Sequence, residues 1–156
     1  MNSPDLGAQM EQYRVALDAQ LALLGRLRTV ALRQQALSRA NDLAALQRTT
    51  DERDGLMAGL LAIEQQIQGV RAALADARDA VRRLPAFSDL VALYRKVTET
   101  VSAVLDTDRD SIRALEDFMA ERRLAAQALE QGESTLAAYS RLATQPPAAT
   151  LVNRRG

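Results

Sequence analysis

From position 46 to position 84 apolar residues recur at heptad spacing, and no other feature limits the possible folds as much. One row holds Leu46, Arg53, Leu60, Ile67, Leu74 and Val81; the other holds Thr49, Leu56, Ile63, Val70, Ala77 and Leu84. Apart from Arg53 and Thr49 the positions are apolar or small. A repeat of about 3.5 residues puts both rows on one narrow seam of a helix, which has to be buried against partner helices. Met10, Tyr13, Leu17, Leu21, Leu24, Leu27 and Ala31 form a similar stripe upstream. A third runs through Leu90, Tyr94, Val97, Val101, Val104, Ile112, Leu115, Met119, Ala126, Leu129 and Leu136. Ala, Leu, Arg, Gln and Glu, all strong helix formers, dominate between them, and aromatics make up only 3%.

Two breaks divide the stripes. In "RRLPAFSDL" Pro85 cannot continue a helix, Leu84 before it is pushed out of the helical region, and Ser88 suits the cap of the next helix. In "SRANDLAAL" Asn41 can close one helix and Asp42 cap another. If the second break were absent, the first two helices would fuse into the long arm of a two-helix hairpin. The expected fold is all-α: an antiparallel bundle of three long helices, at about 8–39, 43–84 and 89–142, with coiled-coil-like seams. It forms a single domain over 1–142. The stretch 143–156 contains two prolines and few apolar residues, and is expected to be a disordered, flexible tail.

Composition removes whole classes of function. With no Cys and no His, the chain has no thiol nucleophile, no Ser–His–Asp triad and no zinc site of the usual kind. Twenty basic residues balance twenty acidic ones, whereas a nucleic-acid binder needs a basic surplus. Apolar runs of a few residues, such as "LALL", exclude a membrane span, and "MNSPDLGAQMEQ" lacks the basic start and apolar stretch of a signal peptide. A soluble cytoplasmic protein is expected.

One segment does resemble chemistry. "LDTDRDSIRALED" places Asp106, Asp108 and Asp110 at alternate positions, as a calcium-binding EF-hand loop begins. Such a loop needs Gly sixth and Glu twelfth, where Ser111 and Asp117 stand. On a helix Asp106 and Asp110 share a face within reach of Arg109 and Arg113, so a salt-bridged surface is expected and no metal. The neighbouring carboxylates Asp51–Glu52 and Glu116–Asp117 diverge around a helix rather than converge on a substrate. Gly55, Gly59 and Gly69 form no phosphate loop. Neither an enzyme nor a cofactor is expected.

If the turn lies at 85–88, antiparallel pairing sets Asp108 beside Gln65 and Gln66, with Arg14, Leu17 or Gln20 of the first helix at the same height. There Asp108 either joins a hydrogen-bonded polar layer or rotates to the surface. The same pairing sets Leu43 level with Glu130, so residues 131–142 overhang. This overhang carries Leu136, Tyr139 and Leu142 at three-residue spacing, an apolar stripe free to meet a client or a second copy of the chain. Gly132 loosens the helix just before it.

The run "AQLALLGRLRTVALRQQALSRANDLAALQRTTDERDGLMAGLLAIEQQI" resembles the FlgN-type flagellar export chaperones. The matching elements are Ala36-Leu37, Asn41-Asp42, Leu43, Leu46, Arg53, Leu56, Leu60 and Ile63-Glu64, and the third helix leads into a tail with a Tyr, here Tyr139, as the family's does. Members often carry Asn pairs where this chain has Asp106, Asp108 and Asp110. The resemblance implies a protein without catalytic activity. It would keep hook–filament junction proteins soluble by binding their amphipathic helical termini, and deliver them to the type III export gate. It also implicates Leu124, Leu129, Leu136 and Tyr139 in partner binding, to which the overhang adds Leu142. The alternative is a structural coiled-coil hairpin or stalk, associated with an export ATPase, a phage or the cytoskeleton.

Overall fold

A computed structural model describes residues 5–143, and within them every regular element is helical. The order is α1 (Leu6–Arg39), α2 (Leu43–Asp76), the five-residue α3 (Arg78–Arg82) and α4 (Phe87–Ala143). The chain divides into two compact units, Met1–Leu115 and Glu116–Gly156. Four helices replace the three expected, because the second expected helix is interrupted at Ala77. Of the expected tail at 143–156, Ala143 closes α4 and the rest lies outside the described residues.

Local chemistry accounts for the helix ends. The carboxylate of Asp5 accepts from the Ala8 N–H and starts α1, and that of Asp42 accepts from the Ala45 N–H and starts α2. Between α1 and α2, Asn41 adopts φ = 51°, a left-handed conformation that Asn tolerates better than most residues. The Asp42 N–H reaches back to the Leu37 carbonyl and closes the turn. The break at Asn41 is therefore a reversal of the chain. As residue numbers rise along α1 they fall along its partners on α2: Gln20 meets Glu64, Arg33 meets Glu52 and Gln34 meets Thr49.

All twelve heptad positions between 46 and 84 are buried or half-buried. Two apolar clusters fill the first unit. Met10, Tyr13 and Leu17 pack with Ile67, Leu74, Val81 and Leu90 in one. Leu24, Leu27, Val30 and Ala31 pack with Leu56 and Val104 in the other. The third stripe is covered only in part. Leu90 and Val104 are buried and Val97 is half-buried, while Tyr94, Val101 and Ile112 are exposed. Apolar residues occupy two adjacent strips of α4, and contact with α1 and α2 covers just one of them.

The expected pairing of Asp108 is corrected. Asp108 lies against Arg53 of α2, not Gln65 or Gln66, and the α1 residue at that level is Gln34. The shift follows from the connection. α2 stops at Asp76, well before Pro85, and the buried Val81 of α3 sits within the reversal, which is therefore centred several residues earlier than a turn at 85–88.

Candidate protein-binding site

In the first unit the uncovered strip of α4 borders a cleft. Val91, Tyr94, Val101, Leu105 and Ile112 are all exposed, at three-, four- and seven-residue intervals that keep them on one side of the helix. Phe87, Leu90, Tyr94 and Val97 form the apolar wall of a cleft of about 570 Å³, whose opposite wall is Glu64, Arg71 and Arg78 of α2 and α3. Tyr13, Leu17 and Gln20 of α1 form its floor. A second cleft, of about 190 Å³, shares Gln20, Glu64 and Val97 with the first and adds Met57, Leu60, Leu61 and Val101. The two make one groove between α2 and α4, with exposed Met57 and Leu61 on its far rim.

Polar groups hold the α2 wall in place. Glu64 Oε1 accepts from Arg71 Nη2 at 2.7 Å and from Gln20 Nε2 at 3.1 Å. The Arg71 hydrogen bond is the main reason the Glu64 carboxyl lies below the usual carboxylate range; burial opposes it and the Gln20 amide helps. Glu64 in turn holds the Arg71 guanidinium above its ordinary range, and that guanidinium lies 5.9 Å from the centre of the Tyr13 ring. Farther along α2, Arg53 Nη1 donates to Asp108 Oδ1 at 2.8 Å and to Gln34 Oε1 at 2.7 Å, while Nη2 donates to Asp108 Oδ2. Gln34 Nε2 completes the layer by donating to Thr49 Oγ1 at 2.9 Å. The Arg53 and Asp108 side chains are 25% and 24% exposed, so this fork pairing is largely shielded from water.

The three aspartates of the EF-hand-like segment sit on α4, each with an arginine partner. Asp106 pairs with Arg109, Asp108 with Arg53 and Asp110 with Arg39. Asp110 also accepts from Gln35, and Arg39 first and Gln35 second hold its carboxyl below the ordinary range. Among the described residues no cluster of acidic side chains could hold a metal ion, and no helix is long and apolar enough to cross a membrane.

In residues 116–143 Phe118 is half-buried and every other side chain is exposed. The Arg122 guanidinium lies over the Phe118 ring, 4.6 Å from its centre. All five partner-binding residues inferred from sequence fall here, between 66% and 77% exposed. Helical geometry joins some and separates others. Leu129 and Leu136 stand seven residues apart on one face and Tyr139 adjoins them, whereas Leu124 and Leu142 are eighteen apart and project from the far side. The bare segment begins at Glu116, fifteen residues before the expected overhang at 131, because the pairing of α2 with α4 is displaced as described above. Sequence reasoning missed the groove. The available signal was the doubled apolar strip of α4, in which Val91 and Leu105 accompany Tyr94, Val101 and Ile112.

No family model, curated protein or solved structure matches this chain.

Proposed function

We propose that this chain is a non-enzymatic, cytoplasmic export chaperone of the FlgN type. It binds the amphipathic helical termini of flagellar hook–filament junction proteins and presents them to the type III export gate. In this reading α1, α2 and α4 act as an antiparallel bundle with coiled-coil-like seams, and partners are gripped by Leu124, Leu129, Leu136, Tyr139 and Leu142. One observation carries it: five large apolar side chains, all more than 60% exposed, on a helical segment that buries almost nothing. Exposed apolar side chains of this kind, here on two faces of the helix, mark protein-binding surfaces, and a disordered client terminus that folds on contact supplies a complementary helix. The left-handed turn at Asn41 also supports the reading, since a continuous rod would require helix through that position.

Calorimetric titration of the full chain with terminal peptides from hook–filament junction proteins of the same genome tests this directly. Binding accompanied by a gain of helical circular dichroism is expected, with loss of binding in the Leu129→Asp and Leu136→Asp variants. Peptides that fail to bind, or that bind these variants as well as the natural chain, refute the reading.

A further inference from the structure

α4 has a symmetry that the chaperone reading does not use. Leu115 is the middle of its 57 residues, with twenty-eight on either side, and the boundary between the two compact units falls next to it. On the N-terminal side the exposed Val91, Tyr94, Thr98, Val101, Leu105 and Ile112 form a strip with the half-buried Phe87 and Asp108, at alternating spacings of four and three, and Asp108 is already held by Arg53 of α2. On the C-terminal side Phe118, Arg122, Ala125, Leu129, Gly132, Leu136, Tyr139 and Ala143 repeat the same alternation. In the first unit α1 and α2 leave one strip uncovered, and in residues 116–143 almost nothing is covered at all.

We propose that a second copy of this chain covers both, through antiparallel pairing of α4 with α4 about Leu115, so that residues 116–143 of each copy lie along the α2–α4 groove of the other. Heptad arithmetic by itself ensures that the spacings match when the helix is reflected about its centre. The chemistry of the matched layers is a separate fact. Residues equidistant from Leu115 meet, so Phe118 faces Ile112, Leu129 faces Val101, Leu136 faces Tyr94 and Tyr139 faces Val91. The one layer with a charge on both sides joins Arg122 to Asp108, whose oxygens already accept from Arg53 and keep further lone pairs, so Arg122 meets an existing ion pair. Small residues fall opposite large ones, Ala125 against Leu105 and Ala143 against Phe87, which is how facing layers interdigitate without voids.

A parallel pair in register does worse. It sets Arg122 against Arg122 and Gly132 against Gly132, adding a like-charge contact and a hole. The area is sufficient too. Twelve large apolar side chains per copy are partly or wholly exposed on these strips and the Met57–Leu61 rim. At roughly 50 Å² each, two copies together cover about 1,200 Å², past the ~1,000 Å² a specific interface needs. The proposal stands independently of the chaperone reading; if both hold, a client and a second copy compete for Leu129, Leu136 and Tyr139.

The chain contains no cysteine, so single introduced thiols report the pairing without ambiguity. Sedimentation equilibrium on the full chain at micromolar concentration is expected to give twice the 17.0 kDa chain mass. Under mild oxidation Leu115→Cys should cross-link to itself. Leu129→Cys should cross-link only when mixed with Val101→Cys. Leu136→Asp, at an exposed position, should keep its circular dichroism and weaken self-association about tenfold. A monomer at every concentration overturns the proposal. So does a Leu129→Cys chain that cross-links to itself while its mixture with Val101→Cys does not.

Discussion

Arg53 stands in a heptad row where an apolar residue is expected, and Asp108 stands in the α4 strip that would meet it. Each occupies its position because the other does. With the pair three-quarters shielded, removing one partner leaves a charge in a poor solvent for it, whereas removing both leaves two apolar side chains of suitable size. Asp108→Leu is therefore expected to destabilise the first unit by about 1–3 kcal/mol, and the double change Arg53→Leu with Asp108→Leu to recover most of that loss. Urea denaturation of the three variants checks this; a single variant as stable as the natural chain means the pair contributes nothing. Glu64 gives a prediction in pH. Folding lowers its pKa below 4.5, chiefly through Arg71, so its contribution is complete above that value and is lost as pH falls through the folded-state value. The melting temperature should drop more steeply below about pH 4.5 in the natural chain than in Glu64→Gln.

At the scale of elements, glycines inside helices separate backbone effects from packing. Gly69 lies within α2 with open space where a Cβ would stand, so Gly69→Ala should raise stability by up to about 1 kcal/mol. Gly59 occupies the same helix, but its Cβ would approach Leu23 Cδ1 to 3.1 Å. Gly59→Ala should gain less, because Leu23 must shift. Equal gains from the two would show that Leu23 moves at no cost. The reversal at Asn41 offers a contrast of opposite sign. Its positive φ suits Gly and penalises a β-branched residue, so Asn41→Val should cost about 1–2 kcal/mol and Asn41→Gly little.

For the whole molecule, α4 outruns α1 and α2: 57 residues against 34 each. Backbone amides of residues 116–143 should accordingly exchange with deuterium faster than those of α1 and α2 under conditions where the chain is monomeric, and slow down when a partner binds. Protection as strong as that of α2 in the monomer would show that the segment packs on something within its own chain.

How much of this the sequence determined follows from the range of each interaction. Heptad spacing, Asp42 and Asn41 act over a few residues, and they correctly gave an all-α chain, a first helix ending at Arg39 and a second beginning at Leu43. The exposure of Leu136, Tyr139 and Leu142 was legible as well, since apolar residues kept recurring after the other helices ran out, whereas that of Leu129 was not, because the expected pairing still covered it. Helix pairing was not. A heptad seam matches its partner equally well after a slip of seven residues, so periodicity cannot choose the register. Choosing it took the early end of α2 at Asp76, together with the burial of Val81 within the connection and the Arg53–Asp108 fork, the last two being contacts between distant parts of the chain. The groove between α2 and α4 belongs to that second category. Its residues are ordinary core candidates in sequence, and only the placement of three helices around too wide an apolar face leaves Val91, Val101 and Leu105 uncovered.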